Sequence, residues 1–353
     1  MRKNEFMNDE IRKHWFANCR SIQEFERLDK LGEGTYGTVY AAKDKKKNQV
    51  VAIKKVKIHD SNEGFPITCL REIKILQRLS AHPNVVNLLE VAVGPIKDSI
   101  HLVFEYCAID LAILVDNMFI DNYSFRENEI KCIVLQLLNG LAYINSNFIL
   151  HRDIKLSNLL LTNDGIVKIA DFGLAREYEI PQKKYTNPVV TLWYRAPELL
   201  CQMNNYNTAI DIWSVGCVFA ELINRGFPIL QGKSEIHQLQ LMCEMLGYPT
   251  ASVWPDLHKN GNKQILKELE KFQHCRPNLQ NVIKDASPQA LELISRMLTW
   301  DPEKRIGVME SLLHEYFYTN PRPSMPEELS ILRQLDQFKK KNADKAEKKL
   351  KIK

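Results

Sequence analysis

The chain has 353 residues, 45% of them hydrophobic, so it can bury a large core and is long enough for two domains or one two-lobed unit. This composition excludes disorder over most of its length. The eight cysteines are scattered and form no CxxC pair, which predicts reduced thiols in a reducing compartment and argues against a structural zinc site.

The formal net charge of +5 is concentrated at the C-terminal end of the chain. Residues 339–353, KKKNADKAEKKLKIK, carry eight lysines and two acidic residues, a net charge of +6, so residues 1–338 sum to −1. The rest of the chain therefore lacks the basic excess that binding a nucleic-acid backbone requires, and any such binding falls to this tail. Two interpretations of the tail stay open: a solvated disordered end, or a basic segment for nuclear import or RNA contact.

The N-terminal stretch MRKNEFMNDEIRKHWF is interrupted by charges every few residues, so it has no apolar core for a signal peptide. No run approaches the roughly 18 apolar residues of a membrane helix. The sequence predicts a soluble intracellular protein with no membrane partner.

The pattern along the chain changes from strand-like to helical near residues 105–110. Residues 25–105 read as short strands and turns with one helix, and long helical periods follow from about residue 111. This predicts an α+β fold with a small β-rich lobe and a larger α-helical lobe. The expected divisions are an N-terminal appendage at 1–22, the first lobe at 25–106, the second at 107–318, and a basic, disordered tail at 324–353.

The first strands contain GEGTYGTVY, in which Gly32, Gly34 and Gly37 have G-x-G-x-x-G spacing. The motif alone is weak, because dinucleotide-binding turns and tight hairpins use the same glycines. A dinucleotide-binding turn would lead into a helix, whereas TVYAAKD reads as a strand. The stretch therefore favours a glycine-rich hairpin whose backbone amides cover nucleotide phosphates.

The next strand, VAIK, places Lys54 beside the apolar Val51 and Ile53. A charge among buried residues needs a partner. The lysine is either an exposed edge-strand residue or a phosphate ligand paired with Glu72.

Glu72 lies in GFPITCLREIKIL, which is predicted to be a helix after Pro66. Its apolar residues occupy more than one face at 100° per residue, so one domain cannot cover them all. Either a later segment of the chain or a partner protein covers the remaining face.

Three further motifs follow in order: HRDIKLSN at 151–158, DFG at 171–173 and APE at 196–198. Asp153 can accept or orient the proton of an attacking hydroxyl, and Lys155 can stabilise the transferring phosphoryl group. Asn158 and Asp171 supply oxygen ligands for Mg²⁺. These residue types indicate phosphoryl transfer.

With these motifs, residues 25–318 resemble the eukaryotic protein kinases. The resemblance implies a bilobed kinase with ATP and Mg²⁺ in the cleft between its lobes, and Lys155 favours serine/threonine specificity. It also implies a structural ion pair between Glu198 and Arg305 and a bracing role for Asp211. The ATP-binding positions it implies are Leu31, Gly32, Glu33, Gly34, Gly37, Val39, Ala52, Lys54, Phe104, Glu105, Cys107, Asp110 and Leu160.

Within that family, VVTLWYRAPELL resembles the proline-directed kinases. The resemblance implies that Arg195 bonds the Val190 carbonyl, so that no partner remains for a substrate amide after the phosphorylated residue. Proline lacks that amide, so the expected targets are Ser-Pro and Thr-Pro.

GFPITCLREI resembles the PITSLRE-type helix of cyclin-dependent kinases 10 and 11. The resemblance implies that a cyclin of the L or M type docks on the helix at 66–79 and brings Glu72 to Lys54. Three departures from the pattern are Cys69 in place of a serine, Gln231 in place of a proline and His237 in place of an acidic residue.

The same resemblance implies regulatory positions. Arg71, Arg152 and Arg176 match a phosphate-binding cluster, and Thr186 matches an activating phosphothreonine. Thr35 and Tyr36 match inhibitory phosphorylation sites, and unmodified loop-tip residues are the other interpretation.

Two other functional classes compete with a cyclin-dependent kinase. A pseudokinase would lack Lys54, Asp153, Asn158 or Asp171, all of which are present. An RNA-associated factor acting through the tail would lose salt-sensitive binding on removal of residues 339–353. The resemblance implies a nuclear setting, or a nuclear and cytoplasmic one, near transcription, splicing or cell-cycle control. The absence of arginine-serine extensions argues against a direct splicing role.

Overall fold

The structure is a computed structural model that describes residues 19–34, 37–56, 67–94, 100–178, 192–203 and 206–335. These residues form two compact units. Unit 1 takes its residues from Met1–Ala81 and Val86–Cys107, and unit 2 from His82–Val85 and Ala108–Lys353. Unit 1 is dominated by a β-sheet and unit 2 by helices, which confirms the α+β kinase-like fold predicted from the sequence.

The sheet of unit 1 has six strands among the described residues, in the order β1-β5-β6-β4-β3-β2. All neighbours are antiparallel except β1 and β5. The strands are β1 (Arg20–Ser21), β2 (Phe25–Gly34), β3 (Gly37–Asp44), β4 (Gln49–Val56), β5 (Leu88–Val93) and β6 (Ile100–Glu105).

The two faces of this sheet carry different side chains because alternate residues of a strand point in opposite directions. One face packs a core that includes Val51, Ile53 and Val103, with Phe25 among its neighbours. Lys54 follows Ile53 and therefore belongs to the opposite face. Lys54 is therefore not part of the core to which Val51 and Ile53 belong, which explains how VAIK accommodates a charged residue.

The segment before β2 is part of unit 1. Arg20 and Ser21 pair with Ala92 and Val93 of β5. The Arg20 guanidinium donates to Asp44 at 2.8 and 2.9 Å and to Glu90 at 3.0 Å, and it holds the pKa of the Asp44 carboxyl well below its usual range. The structure therefore differs from the sequence-based expectation, which placed residues 20–22 in an appendage.

The α-helix described in unit 1 is α1 (Ile67–Arg78), and a short 3-10 helix spans Ile22–Glu24. Its buried apolar residues are Cys69, Ile75 and Leu76, whereas Leu70 keeps 45% of its surface exposed. Unit 1 therefore covers one side of the helix and leaves Leu70 on the other, as its apolar pattern predicted.

Unit 2 is built around helices α3 and α5. Ala209 through Leu222 of α5 are all buried, so this helix forms the centre of the unit. The helices are α2 (Leu111–Ile120), α3 (Glu127–Ser146), α4 (Pro197–Leu200), α5 (Ala209–Ile223), α6 (Glu235–Leu246), α7 (Pro255–Asn260), α8 (Lys263–Leu269), α9 (Leu279–Val282), α10 (Pro288–Met297) and α11 (Val308–Leu312).

Short strands in unit 2 hold the loops that carry its motifs. Strands β10, β9 and β7 form one small sheet in that order, and β11 pairs with β8. Their bounds are β7 (Ile109–Asp110), β8 (Ile149–Leu150), β9 (Leu159–Leu161), β10 (Val167–Ile169) and β11 (Arg176–Glu177).

Residues 319–335 form a C-terminal strap that packs on the first turns of α3. The buried Lys131 Nζ donates to the carbonyl oxygens of Thr319 at 3.0 Å and Pro321 at 2.8 Å, and the Ser330 amide donates to Glu129 at 2.8 Å. Ile331 is fully buried. The structure therefore differs from the expectation that a disordered tail begins at residue 324. Within the described ranges, no helix is long and apolar enough to cross a membrane.

Candidate active site

Asp153 lies at the centre of a hydrogen-bonded cluster in unit 2. Its Oδ2 accepts from Lys155 Nζ at 2.8 Å and from Asn158 Nδ2 at 2.9 Å, and its carbonyl oxygen accepts from the same Asn158 nitrogen at 2.8 Å. These bonds fix the orientation of the buried carboxylate. Its other oxygen, Oδ1, takes part in none of them. That geometry suits a group that orients a hydroxyl proton.

His151 joins this cluster to the DFG motif. Its Nδ1 accepts from the Asp153 amide at 3.3 Å, so Nε2 carries the proton and donates to the Ala170 carbonyl at 3.0 Å. The ring also meets Phe172 edge-on, with centroids 4.9 Å apart. The histidine therefore fixes the residues on both sides of Asp171 relative to Asp153.

Asp211 braces the backbone of the HRD motif, as the sequence analysis expected. Its two carboxylate oxygens accept from the amides of His151 and Arg152, each at 2.8 Å. Burial raises the pKa of this carboxyl, and the two amides oppose that rise. The side chain lies beneath the loop, which gives it a positioning role.

Two residues of this region have left-handed backbone angles that side chains seldom adopt. The φ angle is 70° at Arg152 and 62° at Asp171. Such strain persists only where surrounding bonds impose it, and the Asp211 carboxylate holds the Arg152 amide in this way.

Asn158 and Asp171 provide hard oxygen atoms at neighbouring positions. The Ala170 amide donates to the Asn158 carbonyl at 2.9 Å, which places the residue before Asp171 beside Asn158. Because Asn158 Nδ2 is used on Asp153, its Oδ1 is the amide atom left as a ligand. The described ranges contain no cluster of three His, Cys, Asp or Glu that could hold a metal. Mg²⁺ fits this pair, since it needs few protein ligands when phosphates and waters complete its shell.

In unit 1, Lys54 and Glu72 form the predicted pair. Lys54 Nζ lies 2.7 Å from Glu72 Oε1, and both side chains are largely buried. The pair is formed within the single chain. The lysine is thus placed by a strand and the glutamate by α1, so any movement of α1 would change the position of the ammonium group.

The sheet register places several of the expected nucleotide-binding residues of unit 1 on the face that carries Lys54, whereas Glu105 lies opposite Val51 on the other face. Val39 lies opposite Lys54 and Gly32, and Ala52 lies opposite Phe104. Directly opposed residues share a face. A Cβ added at Gly32 would meet no atom within 4 Å, whereas one at Gly37 would lie 2.1 Å from the Lys55 carbonyl oxygen. Open space above Gly32 and a close strand approach at Gly37 fit a loop that covers phosphate groups.

The remaining nucleotide-binding candidates lie on either side of the unit boundary. In unit 1, Glu105 accepts from the Asn87 amide at 2.7 Å, and Cys107 is buried. In unit 2, Asp110 caps α2 by accepting from the Ile113 amide at 2.9 Å, and burial raises its pKa to about 6. Leu160 lies in β9, where it pairs with Asp110. The capping role of Asp110 was not anticipated, although its place before LAIL is typical of an N-cap.

Comparison with known proteins identifies the family. Residues 25–317 match the Protein kinase domain family. Human cyclin-dependent kinase 10 is 46% identical over 314 residues, covering 89% of this chain and 85% of the human protein. The chain belongs to the cyclin-dependent kinase family.

Relatives from two other organisms indicate the same family. Probable cyclin-dependent kinase 10 of Dictyostelium discoideum is 45% identical over 86% of this chain and 81% of its own length. Cyclin-dependent kinase G-2 of Oryza sativa subsp. indica is 46% identical over 86% of this chain but only 43% of its own length. These matches confirm the cyclin-dependent serine/threonine kinase predicted from the motifs, and protein kinases use ATP and Mg²⁺.

The kinase forms the structural ion pair expected of its APE motif. Arg305 donates to both carboxylate oxygens of Glu198, at 2.7 and 2.9 Å, and both side chains are buried. Arg305 also donates to the carbonyl oxygens of Ala209 and Thr299. The pair links α4 to the segment that follows α10.

Arg195 lies beside the catalytic cluster of the kinase. It lines a small cavity together with Asp153, Tyr194 and Asp211, and its Nη1 lies 3.0 Å from Glu235 Oε1. Burial lowers the pKa of the guanidinium, and Glu235 counters this effect. Sequence reasoning missed Glu235, although it belongs to the GKSEI stretch.

The buried carboxylate of Glu221 supports the segment that contains Tyr194 and Arg195. Glu221 Oε2 accepts from the Tyr194 hydroxyl at 2.8 Å, and the Tyr194 carbonyl accepts from Ser214 Oγ at 2.8 Å. Burial raises the pKa of Glu221 to about 7. A lone Glu in the apolar stretch CVFAELI is the signal that could have identified it.

The predicted regulatory residues fall in different parts of the chain. Arg71 lies on α1 in unit 1. In unit 2, Arg176 pairs with Leu150, two residues before Arg152. Thr35, Tyr36, Thr186 and Val190 lie outside the described residues, so the structure leaves their predicted roles as predictions.

Proposed function

We propose that the kinase transfers the γ-phosphate of ATP to Ser-Pro and Thr-Pro sites of proteins when a cyclin is docked on α1. The observation that carries the proposal is the Asp153 cluster. One carboxylate is held by Lys155 and Asn158, on a loop braced by Asp211 and joined to the DFG motif by His151. All groups required for phosphoryl transfer are present, so a catalytically silent scaffold is not favoured.

Each polar group has a defined task in this account. Asp153 orients the substrate hydroxyl and takes its proton, while Lys155 stabilises charge on the transferring group. Asn158 and Asp171 hold Mg²⁺, which neutralises the phosphates when bound. Lys54, positioned by Glu72, binds phosphate oxygens from unit 1.

The preference for proline follows from the environment of Arg195. Its guanidinium is buried and bound to Glu235, so it is fixed beside the Asp153 cavity. By family resemblance it also bonds the Val190 carbonyl, which would otherwise accept the amide of the residue after the phosphorylated one. A substrate amide at that place then loses a hydrogen bond, and proline has none to lose.

The cyclin-docking proposal rests on the exposed side of α1. Leu70 is exposed while Ile75 and Leu76 are buried, so the helix offers an apolar residue to a partner on its uncovered side. Since Lys54 and Glu72 are bonded within the single chain, we propose that the cyclin keeps the pair formed and does not create it. By resemblance, the partner is an L-type or M-type cyclin.

The substrate preference is tested with three peptides that differ only after the serine: Ser-Pro, Ser-Ala and Ser-(N-methyl)Ala. N-methylalanine lacks the amide hydrogen but is not proline, so it separates the amide argument from ring packing. We expect phosphorylation of Ser-Pro and Ser-(N-methyl)Ala and little of Ser-Ala, with Asp171→Ala as the inactive control. Equal rates on Ser-Ala would contradict proline direction.

We also propose a nuclear location on the basis of the basic tail at 339–353 and, by resemblance to cyclin-dependent kinases 10 and 11, roles near transcription, splicing or cell-cycle control. Fusion of these fifteen residues to a fluorescent protein tests it. Nuclear accumulation that disappears when the lysines are changed to glutamine supports the proposal, and an even cellular distribution contradicts it.

A further inference from the structure

The start of α6 is bonded to the segment that follows the activation region. Trp193 Nε1 donates to the Gly232 carbonyl at 3.3 Å, and Gln238 Nε2 donates to the Trp193 carbonyl at 3.3 Å. The Arg195–Glu235 pair is the third link. Because Arg195 also lines the Asp153 cavity, Glu235 and its neighbours in the chain lie next to a residue of that cavity.

Two basic side chains lie two residues before and two residues after Glu235. Lys233 is exposed, and no ion pair involves it within the described part of the chain. His237 Nδ1 accepts from the Lys233 amide at 3.0 Å, so the neutral ring carries its proton on Nε2, which is a donor. Both residues therefore offer donors for an anionic group.

The carboxylates of Glu235 and Asp153 already have bonding partners. Glu235 is bound to Arg195, and Asp153 is bound to Lys155 and Asn158. Because these carboxylates are already bonded, Lys233 and His237 remain able to bind an anionic group of the substrate.

We propose that Lys233 and His237 select substrates with an acidic side chain, Asp or Glu, close to the phosphorylated Ser-Pro. The inference rests on the proposed function, because it assumes that a Ser-Pro peptide binds beside Arg195. A substrate carboxylate accepts from Lys233 Nζ and His237 Nε2, and a substrate lysine is repelled by Lys233.

The test is a set of Ser-Pro peptides with Glu, Ala or Lys placed in turn at each position flanking the Ser-Pro, assayed with the cyclin-bound kinase. At the preferred position, we expect kcat/KM for the Glu peptide to exceed that for the Lys peptide about fivefold at low salt, as for an exposed charge pair. The ratio should fall as salt is raised.

Substitutions assign the preference. Lys233→Glu combined with His237→Asp should invert the ratio, and Lys233→Gln should give an intermediate value. Lys271→Glu, at an exposed lysine on a different element, should leave the ratio unchanged. Equal rates for the Glu and Lys peptides, or a ratio that persists in the double variant, would overturn the inference. Failure to phosphorylate any Ser-Pro peptide would instead overturn the proposed function and this inference with it.

Discussion

In unit 2, the buried Glu198 and Arg305 form an ion pair. The Glu198–Arg305 pair is the most enclosed of those described here, with two parallel hydrogen bonds. Two buried charges attract strongly, but their desolvation is costly, so such a pair adds little net stability. Removal of one partner is different, because it leaves the other charge buried alone.

Arg305→Met should therefore lower the free energy of unfolding by about 3–5 kcal/mol. The double variant Glu198→Gln/Arg305→Met should recover part of that loss, since the stranded carboxylate is gone. Denaturant unfolding measures both. Lys271→Met, which breaks the exposed Lys271–Glu268 pair, is the control and should cost at most about 1 kcal/mol. A similar loss in both single variants would show that burial of the Glu198 pair has no energetic effect.

Glu221 makes stability depend on pH near neutrality. Burial raises its pKa from 4.5 in the unfolded chain to about 7 in the folded protein. The folded state therefore binds the proton more tightly, and the resulting stability is complete below pH 4.5 and is lost as the pH rises through about 7. Thermal unfolding of Glu221→Gln should show a flatter dependence between pH 5 and 8 than the parent. An equal dependence would mean that Glu221 titrates normally.

The helix α1 has one buried side and one exposed side. Its buried residues hold it to the sheet of unit 1, and Leu70 remains exposed on the other side. Helical periodicity predicted this division, because the apolar positions cover more of the circumference than one contact surface can use.

Leu70→Lys should abolish activation by a cyclin while leaving the isolated chain stable to within about 0.5 kcal/mol. Lysine has a helix propensity close to that of leucine, so the helix itself is retained. Leu28→Lys, at a similarly exposed leucine of β2, is the matched control and should keep full cyclin activation. Activation that survives in Leu70→Lys would exclude this side of α1 as the docking surface.

The C-terminal strap is the element that contributes most to unit 2 beyond the expected kinase boundary. Lys131 is fully buried and finds its acceptors on the strap, and the buried Glu129 carboxylate accepts from the Ser330 amide of the strap. A chain ending at residue 318 leaves both charges without these partners, whereas a chain ending at 335 keeps them.

We therefore expect the 1–318 chain to lose several kcal/mol of stability or to fail to fold, as for breaking a buried charged network. The 1–335 chain should unfold at nearly the same temperature as the full chain. Differential scanning fluorimetry of the three lengths checks this. Equal melting temperatures for 1–318 and 1–335 would mean that the strap is not part of the folded unit.

Across the whole molecule, the sequence predicted those features of the fold and the site that depend on local motifs and on charged residues in apolar stretches. The class of fold and the Lys54–Glu72 pair follow from motifs in the sequence, and the Asp211 brace was implied by the family resemblance. The strap was not predicted, because Leu329, Ile331 and Leu335 lie in or next to two short 3-10 helices, which are too short to show an α-helical or strand periodicity in the sequence. The pairing of Arg20 with Glu90 was missed for a related reason, since a two-residue strand gains its place only from distant contacts.

The two units supply different parts of one activity. Unit 1 places Lys54 on a strand and its partner Glu72 on a helix whose outer side is exposed, and unit 2 holds the Asp153 cluster through contacts within itself. On this account a partner on α1 changes the unit 1 contribution alone. The purified chain should therefore keep its catalytic cluster intact but depend on a cyclin for its rate.

The most direct test is phosphorylation of a Ser-Pro peptide by the purified chain, alone and with candidate L-type and M-type cyclins, using Asp171→Ala as the blank. The account predicts activity that appears, or rises by at least about tenfold, with one of these cyclins and is absent in the blank. Equal activity without any cyclin would contradict cyclin dependence and mean that the chain itself keeps α1 in place.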